Sequence, residues 1–342
     1  MTTAQYISEN ELRKKKLFPY YDPITGAGSP IPRFPVKLND KTTIYLPDVI
    51  KPMFPDSLCK DLPKFCKEND IEMSEMLVYV EQVRYDFDFE YYAAKTQKIK
   101  DKRSGKDIWF KLNAPQRLVH TDVNAKLFGN LPVRIDILKS RKWGGSTYVQ
   151  MLFNWIQNRI KTGWNSCIVT DVEDQARGLR GMTTKFAKHY PPGLGTIVLS
   201  PFEGSTKNKY IESRDCIISI GSMQRPDSLR SGTTYLEHLS EIGLWKATLG
   251  KKPEDLIQTL LEMVMEEPWT CIFRESTAKG TGTYFEKIWL QDIKGDSNYT
   301  PIFIPWFIEE TNTKPIKDIE KFIASWNDYD KFCWKEGATL EG

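Results

Sequence analysis

The sequence predicts an α/β fold, a mostly parallel sheet flanked by helices, and two observations carry that prediction. Beyond residue 130, short apolar runs rich in β-branched residues alternate with stretches of helical periodicity, as a parallel sheet covered by helices demands. The first of these runs passes through a glycine-containing turn straight into the first helical stretch. Strand, glycine loop and helix N-terminus together make an anion site, because free backbone N–H groups and the positive helix end converge there.

Strands are expected at 133–138, 167–171, 216–220, 235–239 and 270–274. Between the first two, a helix from 146 to about 161 carries Val149, Leu152, Trp155, Ile156 and Ile160 on one side at helical spacing. Pro253 opens another through Leu256, Ile257, Leu260, Leu261 and Val264, since proline suits a helix start. A further helix is expected through Phe285 and Trp289. At 342 residues the chain is long for one compact domain, and it divides into four regions. Residues 1–55, with Pro19, Pro23, Pro30, Pro32 and Pro35, read as an extended or partly disordered arm. Residues 56–110 form an N-terminal accessory layer ending at Ile108-Trp109-Phe110, 111–305 the α/β core, and 306–342 a small C-terminal lid or linker.

Composition excludes several classes. The chain is 40% hydrophobic and 27% charged, which are globular values, and no apolar stretch approaches the roughly eighteen residues of a membrane helix, so no membrane is expected as a partner. The polar N-terminus MTTAQYISENELRKKK is unlike a secretory signal, which predicts a cytosolic chain. Six cysteines without CxxC pairing predict free thiols rather than a zinc site. A formal charge of +3 is too small to announce nucleic acid, so a DNA contact must be local. The candidate is 95–106, where Lys95, Lys98, Lys100, Lys102, Arg103 and Lys106 surround a Ser104-Gly105 turn, with a merely solvated hairpin as the alternative.

Lys139-Ser140-Arg141-Lys142-Trp143-Gly144-Gly145-Ser146-Thr147 is the candidate nucleotide-binding loop of a P-loop, RecA/ASCE-like sheet. The usual loop is GxxxxGK[ST], with lysine reaching the β- and γ-phosphates and a hydroxyl on Mg²⁺. Gly144 and Ser146 fill the second-glycine and metal-hydroxyl positions, but Gly145 stands where the lysine belongs. Another cation must then serve the phosphates, and Lys139, Arg141 and Lys142 lie just upstream. Taken alone, this run is equally a tight turn between strand and helix.

Four features narrow the choice. Gln116, after Asn113-Ala114-Pro115, has an amide able to donate to and accept from an adenine edge at once, although a polar loop residue is the plainer reading. Thr234-Tyr-Leu-Glu-His-Leu-Ser-Glu241 is an apolar strand ending in Glu241, a carboxylate able to orient or deprotonate an attacking water. Such motifs mostly end in Asp-Glu with the Asp helping to hold Mg²⁺, and Ser240 makes that contact weaker or water-mediated. Arg230, eleven residues before Glu241, is either a surface ion-pair residue or an arginine finger, worth on the order of 10³ to 10⁵ in rate. Ser276 and Thr277 end another strand, where hydroxyls either cap a helix or sense the γ-phosphate.

Together these residues resemble the large terminase subunit of tailed bacteriophages. LKSRKWGGST stands for the deviant Walker A, NAPQ for the adenine glutamine, HLSEIGLW for the Walker B region and ESTAKG for the coupling motif, with PIFIPWF following, over roughly residues 80 to 340. The resemblance implies an ATP- and Mg²⁺-dependent motor that moves double-stranded DNA into a procapsid in the host cytoplasm. Its implied partners are a portal protein, a small terminase subunit and further copies in a ring. It also implies Gln116 for adenine, Arg141 as the loop cation, Ser146 for Mg²⁺, Glu241 as catalytic carboxylate, Arg230 reaching a neighbouring subunit's site, and Ser276-Thr277 for coupling. The family carries an RNase H-like nuclease domain after the ATPase; only about 36 residues follow Trp306, so no nuclease activity is expected. A helicase-like DNA translocase, and an assembly module whose nucleotide site is weak or structural, are the alternatives.

Overall fold

A computed structural model describes residues 1–101, 104–202, 205–223, 233–246 and 252–341. In chain order the strands are β1 (Arg33–Asn39), β2 (Thr42–Pro47), β3 (Lys98–Lys100), β4 (Asp107–Trp109), β5 (Val133–Lys139), β6 (Ser166–Thr170), β7 (Leu199–Phe202), β8 (Ser205–Ile211), β9 (Cys216–Ser222), β10 (Leu236–Ser240), β11 (Cys271–Ser276) and β12 (Thr300–Ile304). The α-helices are α1 (Thr3–Leu17), α2 (Asp56–Lys60), α3 (Leu62–Glu68), α4 (Met73–Phe87), α5 (Phe89–Thr96), α6 (Ala114–Phe128), α7 (Gly145–Trp155), α8 (Glu173–Lys188), α9 (Pro253–Glu262), α10 (Tyr284–Lys294), α11 (Ile319–Ala324) and α12 (Asp328–Lys335).

Eight strands form the central sheet in the order β12-β5-β11-β10-β6-β9-β8-β7. The ladders from β12 to β9 are parallel, and β8 and β7 extend that sheet as an antiparallel hairpin. β11 lies between β5, which leads into the glycine loop, and β10, which ends beside Glu241, the additional-strand arrangement of a RecA/ASCE-like sheet. Both faces are covered, which is why the strands read as continuous apolar runs. On one face Val149, Leu152, Phe153 and Trp155 of α7 join Ile135, Ile137 and Phe273 in the main core. On the other, Leu256, Ile257 and Leu260 of α9 and Phe285 and Ile288 of α10 close over Cys167, Val169 and Leu239.

The expected arm at 1–55 is a correction. Thr2 and Gln5 form a capping box at the start of α1, and Lys14, Lys15 and Lys16 lie in its last turn, where cations suit the helix dipole. Asn10 accepts from Leu340 N at 2.7 Å, and the Arg13 guanidinium lies 3.7 Å over Trp334, so α1 packs against the segment expected to be a lid or linker. The prolines follow the helix or fall in β1, which among the described residues pairs with β2 alone, so that a missing N–H is tolerated. Phe34, Val36, Ile44 and Leu46 share a small core with Phe54, Leu58, Leu62 and Val80, so the N-terminal layer begins well before residue 56. Arg33 binds it to the rest, with hydrogen bonds of 2.8 Å to Asp88 and 2.6 Å to Glu90. All six cysteines are free, and among the described residues no helix is long and apolar enough to cross a membrane.

Candidate functional site

Parallel strands bring their C-terminal ends to one edge, and there β5, β10 and β11 deliver Lys139, Ser240-Glu241 and Glu275-Ser276. The Lys139 ammonium donates to Glu241 Oε1 at 2.5 Å and lies 3.9 Å from Glu275 Oε2. Burial would lower its pKa, but Glu275 and Glu241 outweigh that and raise it above the ordinary lysine value. For Glu275, burial would raise the carboxyl; Lys139, with donors on His238 and Ser240, reverses this and holds it at about 2. Arg141 is exposed, so the cation that the fold sets among the carboxylates is Lys139.

The missing loop lysine has a steric cause. Trp143 is buried with 1% exposure, and a Cβ at position 145 would lie 2.0 Å from its ring and 2.8 Å from Glu275 Oε2. No side chain fits at 145 while Trp143 holds its place. Gly144 is left-handed at φ 84° and caps α7, the conformation for which glycine is suited. Lys142 is also left-handed, at φ 66°. Ser146 and Thr147 lie in the first turn of α7, and Ser140 N donates to Ile304 O of β12 at 3.0 Å.

Gln116 belongs to this loop in a way the sequence does not announce. Its Oε1 accepts from Asn113 N at 3.0 Å as the far half of a capping box, and its Nε2 donates to Gly144 O at 2.9 Å. Asn113 Nδ2 donates to Trp143 O at 2.9 Å and to Glu309 Oε2 at 2.9 Å. The Asn-Ala-Pro-Gln run thus pins two loop carbonyls. Beside it opens a cleft of about 460 Å³ with Ile99, Ile108, Phe110, Met182 and Phe186 as apolar walls and Asn113, Gln116, Gly144 and Thr147 at one end.

Glu241 stands at φ 60°, ψ 39°, a left-handed conformation costly for a residue with a Cβ. Its Oε2 accepts from Thr277 N at 3.3 Å, while Gly243 N donates to Ser276 Oγ at 3.1 Å. The two candidate coupling residues therefore both touch the turn that begins at Glu241. Ser240 Oγ donates to Glu275 Oε1 at 2.9 Å, and Ser146 Oγ points to the same oxygen at 3.4 Å.

Glu275 is the residue that sequence reasoning missed. The expected strand stopped at 274, whereas β11 continues to Ser276 and sets Glu275 opposite Ser240 in the ladder. Strand alternation was the available signal, since it puts Glu275 on the same side as the buried Phe273. His238 was missed too, and its Nε2 lies 3.1 Å from Glu275 Oε1.

The basic segment includes the hairpin of β3 and β4. Lys98 lies 4.6 Å over Trp109, Lys100 pairs with Asp107 at 3.1 Å, and both line the cleft, while Lys95 pairs with Glu81 at 3.8 Å. Lys106 is exposed beside the turn, where Gly105 N donates to Asp101 O at 2.9 Å. Lys102, Arg103 and Arg230 lie outside the described residues.

No protein-family model matches the sequence. No curated protein matches it either. Among solved structures, the chain is similar to the HK97 bacteriophage large terminase at 15% identity and a TM-score of 0.49, over 73% of this chain and 52% of that one. It thus spans about half the length of that protein. It is similar to the Thermus phage P74-26 large terminase ATPase domain at 14% identity and a TM-score of 0.41, over 68% of this chain and 94% of that one. For the Phi-28 gp11 DNA packaging motor the identity is 11% and the TM-score 0.32, over 66% and 67% of the two chains. These scores mark partial backbone correspondence, and the α/β architecture stands on the sheet order of the chain itself.

Proposed function

We propose that this chain is the ATP-hydrolysing motor of a viral genome-packaging terminase, driving double-stranded DNA into a procapsid. One observation carries the reading. Residues from separate, ordered sequence motifs meet in a single cluster at the carboxyl edge of the sheet: Lys139, Ser146, Glu241 and Thr277, beside a cleft bordered by Gln116.

The residues suit a nucleotide with a divalent cation. Buried Glu275 Oε2 has no hydrogen-bond partner among the described residues, and the N–H groups at the start of α7 face the same edge. The apolar cleft takes the base, the loop takes the phosphates, and Lys139 turns from the carboxylates toward the β- and γ-oxygens. When bound, Mg²⁺ neutralises phosphate charge and aligns the terminal phosphoryl group. Glu241, released from Lys139, orients a water and accepts its proton. Its other oxygen stays with Thr277, so a change at the carboxylate reaches β11 and then α10, the coupling route to a DNA-gripping surface. Arg230 is assigned to a neighbouring protomer's site, which makes a ring of copies the working form; portal protein and small terminase subunit are its proposed partners at the procapsid.

Phosphate release from ATP·Mg²⁺ tests the proposal, measured against protein concentration with and without double-stranded DNA. Specific activity that rises on assembly, and is lost in Arg230→Ala but regained when that variant is mixed with Glu241→Gln, supports a motor with a finger in trans. A chain that binds ATP but stays silent at every concentration is an assembly module instead.

A further inference from the structure

Resting on the ATP reading above, we infer that Glu275 of β11 supplies the carboxylate for the nucleotide's divalent cation, in place of any residue on β10. The usual arrangement asks the residue before the catalytic glutamate for that carboxylate, and here it is Ser240, a hydroxyl. The parallel ladder sets Ser240 directly opposite Glu275, so the charge missing from one strand is present on its neighbour at the same level of the sheet edge.

Three contacts give Glu275 the position of a cation-holding group. Its Oε1 accepts from Ser240 Oγ at 2.9 Å and lies 3.4 Å from Ser146 Oγ, the loop hydroxyl suited to the same ion. Its Oε2 is buried without a hydrogen-bond partner among the described residues, with Lys139 at 3.9 Å. That free oxygen is aimed at the loop, since a Cβ on Gly145 would lie 2.8 Å from it. The Trp143 ring that leaves no room for a side chain at 145 thus borders this carboxylate oxygen as well.

Charge argues the same way. Glu241 and Glu275 both face Lys139, with the His238 imidazole also on Glu275, and a divalent cation takes the place of the Lys139 charge beside them when Lys139 turns to phosphate. Among the described residues no cluster of three or more metal-binding side chains occurs, which sets aside an all-protein cage. Mg²⁺ instead commonly takes one or two carboxylates and completes its shell with phosphate oxygens and water.

Mn²⁺ provides the test, titrated by electron paramagnetic resonance against the full chain with bound ADP, alongside ADP affinity in EDTA. Glu275→Gln keeps the shape and the acceptor for Ser240, so ADP binding in EDTA is expected to persist while Mn²⁺ affinity falls by about 10- to 100-fold. Adding Ser240→Asp to that variant moves the carboxylate across the ladder and is expected to restore most of the loss. If Glu275→Gln proves unstable, Glu275→Asp keeps the charge at shorter reach and should weaken Mn²⁺ by an intermediate factor. Unchanged Mn²⁺ affinity in the folded Glu275→Gln or Glu275→Asp chain overturns the inference while leaving ATP binding intact. A wild-type chain that binds ADP neither with Mn²⁺ nor in EDTA sinks the ATP reading, and this assignment with it.

Discussion

Two buried charge clusters invite comparison, one beneath the N-terminal layer and one at the carboxyl edge of the sheet. In the first, the Arg33 and Arg84 guanidiniums face the Asp88 and Glu90 carboxyls, and Arg84 also donates to the carbonyls of Pro23 and Ile24. Cations and anions are equal in number and come from elements that must be held together. In the second, Lys139 faces the carboxylates of Glu241 and Glu275 at the ends of three strands; each cluster keeps one buried carboxylate oxygen without a hydrogen bond among the described residues, on Glu90 in the first and on Glu275 in the second. The first cluster joins the N-terminal layer to the helices beneath it, whereas the second lies at the strand ends beside the glycine loop, where the proposed function places a ligand.

The largest effect expected from breaking this contrast is kinetic. Glu241→Gln should lower ATP turnover by about 10²- to 10⁴-fold with nucleotide affinity kept, as read by phosphate release and equilibrium binding. Turnover within a fewfold of wild type would mean that the carboxyl-edge cluster is not catalytic. Asp88→Ala removes the carboxylate that Arg33 and Arg84 share, leaving Arg33 with Glu90 and Arg84 with backbone carbonyls, so chemical denaturation should register a loss of about 3–5 kcal/mol with the carboxyl-edge cluster untouched.

Glu237 sharpens the comparison, because it sits on β10 beside the carboxyl-edge cluster yet faces the other side of the sheet. Both of its oxygens lack partners among the described residues, and burial pushes its carboxyl up to about 8 from 4.5. With the folded pKa raised, the neutral group's stability is fully present below 4.5 and is lost as pH rises toward about 8. Glu237→Gln should flatten that slope and, at neutral pH, recover on the order of 3 kcal/mol. Equal pH dependence in variant and wild type would refute the assignment. The smallest effect belongs to Gly145→Ala, where the new Cβ meets Trp143 and should cost about 1–3 kcal/mol by thermal unfolding.

How much was legible follows from what each element had to bury. The five expected parallel strands all occur, with boundaries shifted by no more than two residues, because strands covered on both faces leave continuous apolar runs. β12 and β7 were not foreseen: Pro301 and Pro201 argue against a central strand, and both lie in the terminal strands of the sheet. α1 was hidden by its polarity, since its contacts with Trp334 and Leu340 are long-range. At the site, Glu241, Ser276 and Thr277 were visible as strand ends, and the structure brings them together. Gln116 was read as an amide for an adenine edge, and its capping box with Asn113 and its bond to Gly144 O could not be read from the sequence; Glu275 needed the register between two strands distant in sequence. Arg230 lies outside the described residues.

The contact between Trp143 and Gly145 also bears on descent. A lysine gained at 145 while Trp143 remains must force its Cβ into the indole, and a small residue gained at 143 first would empty the place of one of the largest fully buried side chains. Either order of substitution passes through a destabilised intermediate. While Trp143 holds its place, a lysine at 145 is sterically penalised, and the ammonium that the fold does set among these carboxylates is the one at the strand end, Lys139.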